Sequence, residues 1–156
     1  MPKSLHDKIS VMPDHLMLKV MDMMKVRMRY LQDIKNHAYL FDAPDYETEL
    51  GRNFISKLKN QGPLVNKKIL TDLHSKMQLI PDEKFNADAL NKACSIYLYE
   101  QNQKPDYNYK NEDVFFLFRY AMTGNPVGAP IGDISEVIGK KSVLERLVAA
   151  QEVFKN

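Results

Sequence analysis

Nothing constrains the fold of this chain more than the period of its apolar residues. They recur three and four positions apart, run after run, and the runs are cut by Pro and Gly rather than by alternating strand-like patches. Over 14–38, Leu16, Val20, Met24, Leu31 and Ile34 keep this spacing with Met17, Met21 and Met28, and Asp14 stands as a cap behind Pro13. The methionines read as adaptable core rather than as a cofactor box. Asp42-Ala-Pro-Asp45 breaks the pattern. A second helix is predicted over 46–60 with Leu50, Phe54, Ile55 and Leu58 inward, ended by Gln61-Gly-Pro63. A third over 64–79 turns Val65, Ile69, Leu70, Leu73 and Met77 inward, and a fourth over 86–102 starts at Asn86 and buries Leu90, Cys94 and Tyr97. After the polar, turn-rich stretch 103–111, a nearly all-apolar helix runs from Glu112 or Asp113 to about Met122, and two more occupy 131–138 and 140–154. The prediction is an all-α bundle of about seven helices with short connections. It divides into an extension at 1–13, a first lobe at 14–102, a connection at 103–111 and a second lobe at 112–156.

A chain of 156 residues with 44% hydrophobic and 27% charged residues can bury a core without staples. The lone Cys94 excludes an intrachain disulfide and lies among Ala93, Ile96 and Leu98, where a buried, inert thiol is expected. No apolar run is long enough to span a membrane, and 1–10 lacks a signal-peptide core and is a poor transit peptide. Export is not expected; the bacterial cytoplasm and the mitochondrial matrix both remain open.

Net charge is only +2, so distribution matters more than the total. Lys19, Lys25, Arg27, Arg29 and Lys35 outweigh Asp22 and Asp33 in the first long helix. Arg52, Lys57, Lys59, Lys67, Lys68 and Lys76 face only Asp72 over 52–76. Acidic residues gather at 42–49, 82–88 and 106–113. For any one cluster a solvated helix face is the plainer reading.

Independent catalysis finds no support. The stretch Gly139-Lys-Lys-Ser142 looks like a phosphate loop, but six residues separate Gly132 from Gly139, Lys140 is followed by Lys141, and helix rather than strand precedes it. Gly139 is better read as a left-handed helix stop. His6, His15, His37 and His74 are scattered without metal-ligand spacing, and no Ser lies in a nucleophile-elbow context. No metal, cofactor or catalytic residue is expected.

The run Phe118-Arg-Tyr-Ala-Met-Thr-Gly124, a Pro/Gly loop, and then Ile134-x-x-x-Ile-Gly-Lys-Lys-x-Val-Leu-Glu-Arg-Leu147 resembles the C-terminal end of bacterial-type and mitochondrial glutamyl-tRNA synthetases, of class I. An upstream block, Arg27-Met-Arg-Tyr-Leu-Gln-Asp33 followed by Leu40-Phe41, is similar to the same family in the same order, so the resemblance covers about 14–154. It implies an anticodon-binding region built as two helix cages, without the catalytic domain. The family's His-Ile-Gly-His and Lys-Met-Ser-Lys-Ser signatures are absent. The chain is then either an excised domain or a free-standing relative.

Carried over by position, Arg119 matches the arginine that faces the anticodon, and Gly128, Ala129, Pro130 and Ile131 occupy the place of a Thr-Pro-Gly-Leu loop at the last anticodon base. The loop departs from that pattern: the Thr hydroxyl is gone and the Pro is shifted by one. Lys140 and Arg27, at matching positions, complete the implied RNA-binding set. Physics alone leaves Arg119 two readings. Inside an apolar run it snorkels or pairs with a carboxylate such as Glu136, or it presents a guanidinium that stacks on an unpaired base or forks onto a base edge. Tyr120 is a packed aromatic or a stacking aid. At the level of function three readings stand: a tRNA or other structured-RNA module, joined to a synthetase catalytic domain; a structural subunit of a larger assembly such as a mitochondrial ribosome; and a plain helical protein–protein module.

Overall fold

A computed structural model describes residues 5–25, 37–58 and 62–154. Among the described residues all regular structure is helical. Contacts divide the chain into two compact units, Met1–Asp42 and Ala43–Asn156.

The first unit holds α1 (Leu5–Ser10) and α2 (Asp14–Lys25), with a 3-10 turn at 37–40. α1 lies within what the sequence reads as an extension. The Ser10 hydroxyl donates back to the Asp7 carbonyl at 2.9 Å, and Lys8 pairs with Asp42. Asp14 is the first residue of α2 rather than its cap; the Pro13 carbonyl accepts from Leu16 and Met17, both at 3.0 Å. A carboxylate in the first turn still favours the helix through its dipole. Val20, Met23 and Met24 are buried, whereas Met21, expected inward, is 59% exposed. Seven of the residues from 16 to 24 are apolar, more than one helix face can bury. The long helix expected over 14–38 is followed as far as Lys25, and 37–38 belong to the 3-10 turn.

The second unit contains α3 (Glu49–Leu58), α4 (Pro63–Gln78), a 3-10 turn (Asp82–Lys84), α5 (Ala87–Asn102), α6 (Asn111–Thr123), α7 (Ile131–Ile138) and α8 (Lys140–Val153). α4 packs chiefly on α8 and α5 on α7, while α6 touches α3, α4, α5, α7 and α8. That central position explains its composition: Val114, Leu117, Phe118, Tyr120, Ala121 and Met122 are buried round most of its circumference.

Local signals set the ends. Gly62, at φ 86°, and Pro63 open α4; the Pro expected to end the preceding helix starts the next, where its missing N–H costs nothing. Asn86 caps α5 by accepting from Ala89 N–H at 2.9 Å. Thr48 Oγ1 accepts from Gly51 N–H at 3.1 Å at the start of α3. A Cβ at Gly51 would lie 2.6 Å from the Tyr46 carbonyl oxygen, so the chain enters α3 by passing directly over that residue. The buried face of α3 is Gly51, Phe54, Ile55 and Leu58. Leu50, expected inward, lies one position off that face and is exposed.

Candidate RNA-facing site

The site grows from the C-terminal end of α6. Helix ends leave carbonyls without partners, and three successive ones are satisfied here by three different means. Tyr120 C=O accepts from Gly124 N–H at 2.8 Å. Ala121 C=O accepts from the Tyr46 hydroxyl. Met122 C=O accepts from Arg146 Nη1 at 2.7 Å. Gly124 can do its part because it adopts φ 63° and ψ 8°, a left-handed conformation that costs other residues energy. The Thr123 hydroxyl lies 3.0 Å from the Arg119 carbonyl and accepts from Asn125 N–H, also at 3.0 Å. The Thr-Gly pair of the sequence is therefore the hinge between α6 and the following loop.

In that loop Asn125 Oδ1 accepts from Val127 N–H at 3.0 Å, an Asx turn that holds Val127 out in solvent. The chain then returns toward α6. Ala129 is buried, and its carbonyl accepts from Arg119 Nη2 at 3.0 Å. Arg119, half-buried, is thus tied to the loop. The Glu136 carboxylate accepts from Ala87 N–H at 3.1 Å at the start of α5. Pro130 is exposed, Ile131 is buried, and α7 begins there. α7 is seated on α5 through Gly132: a Cβ there would come within 2.9 Å of the Asn91 side chain and 3.0 Å of the Ala87 carbonyl oxygen. Both ends of the loop are consequently fixed to helices.

The structure brings together Arg119, Gly128, Ala129, Pro130 and Ile131. Lys140 is engaged elsewhere: its Nζ donates to the Ile80 carbonyl at 2.7 Å and pairs with Asp82 at 3.3 Å, fastening the start of α8 to the α4–α5 connection. Arg27 lies outside the described residues. Tyr120 is packed, with its ring against Tyr46, Phe54 and Phe154, and is not available for stacking on a base. Gly139 ends α7 with a positive φ of 86°, as the sequence suggests, but its ψ of 160° lies outside the left-handed helical well.

The basic stretch over 52–76 is partly neutralised by its surroundings. Lys68 pairs with Asp72, which also accepts from the Tyr97 hydroxyl at 2.8 Å, and Lys76 pairs with Glu100 of α5 at 2.6 Å. The hydrogen bond to Asp72 raises the Lys68 pKa. Arg52, Lys57 and Lys67 form no ion pair with a described residue. The Cys94 thiol is buried, which pushes its pKa up to about 12. Among the described residues no group of three or more His, Cys, Asp and Glu is placed to hold a metal ion. No helix among them is long and apolar enough to cross a membrane.

Sequence reasoning missed Tyr46 and Arg146. Arg146 had a signal: Val143, Arg146, Leu147 and Ala150 are one buried i, i+3, i+4, i+7 stripe, with an arginine in a core position. Tyr46 had none, because its partners lie far along the chain.

Comparison with known proteins gives a concordant picture. The family described as "Anticodon binding domain" matches residues 4–151. The glutamate–tRNA ligase of Clostridioides difficile (strain 630) is 25% identical over 130 residues, covering 82% of this chain and 24% of the ligase. The fold is shared with the crystal structure of a glutamate tRNA ligase from Elizabethkingia meningosepticum CCUG26117 in complex with its amino acid. That match has a TM-score of 0.72 at 21% identity and covers 92% of this chain and 26% of that one. The chain spans about a quarter of the length of either ligase. The likeness to the anticodon-binding region of glutamyl-tRNA synthetases thus holds in sequence family, in a curated relative and in fold. By its match over 4–151, the chain belongs to the anticodon binding domain family.

Proposed function

We propose that this chain binds the anticodon stem-loop of a transfer RNA and is noncatalytic on its own. The observation that supports the reading is the bond from Arg119 to Ala129 C=O, which ties a half-buried guanidinium to the loop that the sequence resemblance implies for the last anticodon base. Single-stranded RNA loops are read by stacking and by contacts to base edges, and a guanidinium offers both. Gly128, Ala129, Pro130 and Ile131 form the edge against which an unpaired base would lie. With no Thr hydroxyl in this stretch, contacts there fall to the backbone and to Arg119. Lys140 serves as an anchor that keeps α8 and the loop in place. Ligation chemistry would come from a synthetase catalytic domain, and the working compartment is one where translation takes place, the bacterial cytoplasm or the mitochondrial matrix. The reading as a structural subunit of a ribosome-like assembly draws no support from the ligase matches.

The test is binding of the purified chain to tRNA at several salt concentrations. Affinity is expected to fall linearly on a log–log plot against salt. Arg119→Ala is expected to weaken binding by about tenfold. Salt-independent binding, no binding, or an unchanged affinity for Arg119→Ala would overturn the proposal.

A further inference from the structure

The acidic residues over 106–113 have no part in the proposed RNA contact, yet the chain there is firmly held. Asn102, the last residue of α5, grips both backbone groups of Tyr109. Its Nδ2 donates to the Tyr109 carbonyl at 2.8 Å, and its Oδ1 accepts from Tyr109 N–H at 2.7 Å. Asp113 Oδ2 accepts from Lys110 N–H at 2.7 Å, which fixes the start of α6. Between these ties and α4 lies a cleft of about 290 Å³, lined by Val65, Asp106, Tyr107, Asn108, Tyr109 and Asp113. The two tyrosine rings meet edge to face, with 5.4 Å between their centroids. Tyr109 Oη is buried and has no hydrogen-bond partner among the described residues.

The lining selects an occupant. Asp106 and Asp113 attract a cation and repel a phosphate backbone. Asp106 forms no hydrogen bond or ion pair with a described residue. The tyrosine rings offer faces on which a planar cation stacks. A buried hydroxyl without a partner is costly, and a donor from a guest satisfies it. Lys68 and Lys104 approach the Tyr107 ring, 6.0 and 5.5 Å from its centroid, but neither lines the cleft. Each has an acceptor of its own, Asp72 and Gln101. A guanidinium answers all of these features. It is positively charged, it is flat enough to stack on a tyrosine, and its several N–H groups can serve two carboxylates and a hydroxyl together. An ammonium has the charge but no flat face.

We infer that the cleft between α4 and the α5–α6 connection is a protein-docking site that takes one arginine side chain of a partner. The aliphatic stem lies along Val65, and the guanidinium stacks on the tyrosine rings with its N–H groups toward Asp106 and Asp113. This site is separate from the RNA-facing loop. Asp113 and Arg119 are six positions apart on α6, about 9 Å along the axis and about 120° around it, so the two sites do not compete.

The experiment uses the full chain, isotopically labelled, and reads amide chemical shifts. The probes are capped tripeptides with arginine, lysine or citrulline between two glycines. The arginine peptide is expected to shift the amides of Tyr107, Asn108 and Tyr109. Lysine binds about threefold more weakly, and citrulline, which keeps the shape without the charge, about tenfold more weakly. Asp106 is exposed, so Asp106→Asn folds as the parent does and weakens the arginine peptide by about threefold. Tyr107→Leu, which keeps an apolar side chain without the ring, weakens it by about fivefold. Citrulline binding as tightly as arginine, no shift at these amides, or an arginine affinity that neither variant changes overturns the assignment. So does an RNA stem-loop that displaces the arginine peptide, since the cleft then belongs to nucleic acid.

Discussion

Arg146 Nη1 donates to the Met122 carbonyl at 2.7 Å, so a side chain of α8 closes the end of α6 from within the core. Arg146 is only 5% exposed. Arg146→Met keeps the apolar stem and deletes the donor, leaving a buried carbonyl unsatisfied. The expected loss is about 2 kcal/mol, read from the urea midpoint at constant m-value. A loss below about 0.5 kcal/mol would show that the carbonyl finds another partner.

Gly132→Ala tests how α7 is seated. The added methyl meets the Asn91 amide and the Ala87 carbonyl at 2.9 and 3.0 Å. The amide is flexible and can turn away, but the carbonyl is backbone and cannot. α7 must shift on α5, at a cost of about 1–2 kcal/mol. Because α7 carries the end of the loop, RNA affinity should fall with stability. A variant with the melting temperature of the parent would show that the helices separate freely.

Lys140 distinguishes an anchor from a phosphate contact. Lys140→Met removes the donor to Ile80 C=O and the pair with Asp82 while keeping an apolar stem. The expected cost is about 1 kcal/mol of stability. As an anchor it leaves the slope of log affinity against log salt unchanged; a contact to phosphate would reduce that slope by about one.

Alkaline pH should weaken the fold through Cys94. In the unfolded chain a thiol loses its proton near pH 8.5, at about the ordinary value. Folded, burial pushes the Cys94 pKa up to about 12. The folded state then keeps a proton that the unfolded state releases. Stability is complete below about pH 8.5 and declines as pH rises toward the folded value. Burial also raises the pKa of the Tyr97 and Tyr120 hydroxyls, so they extend the decline above about pH 10. Urea midpoints across this range should show Cys94→Ala starting lower, for its lost volume, but falling less steeply between about pH 8.5 and 10. A parallel pair of curves would rule out the thiol as the source.

Most of the helices are legible in the sequence because their signals are local. Asn86 caps α5, Gly124 stops α6, and 131–138 and 140–153 fall where the apolar period and Gly139 put them. Where one face is apolar, the period also identifies the core, as in Ile69, Leu70, Leu73 and Met77 of α4. It fails at Met21, where apolar residues exceed one face, and at Leu50, where the buried face is centred past it, on Gly51, Phe54, Ile55 and Leu58. Arg119 is visible as an arginine out of place in an apolar run. Its partner, Ala129 C=O, is not, since a backbone carbonyl has no signature of its own.

The sequence by itself determines a helical chain and its punctuation, and it singles out the stretch from Arg119 to Ile131 as the candidate site. Those follow from spacing within one turn of helix and from residues such as Gly and Pro whose backbone preferences are their own. Tertiary structure decides the rest. It sets Arg146 and Tyr46 against the last carbonyls of α6, sends Lys140 to Ile80, and forms a cleft between Val65 of α4 and the tyrosines of the α5–α6 connection. Each of these joins residues tens of positions apart. Such pairings depend on which helix faces meet, and no residue's local preference specifies that.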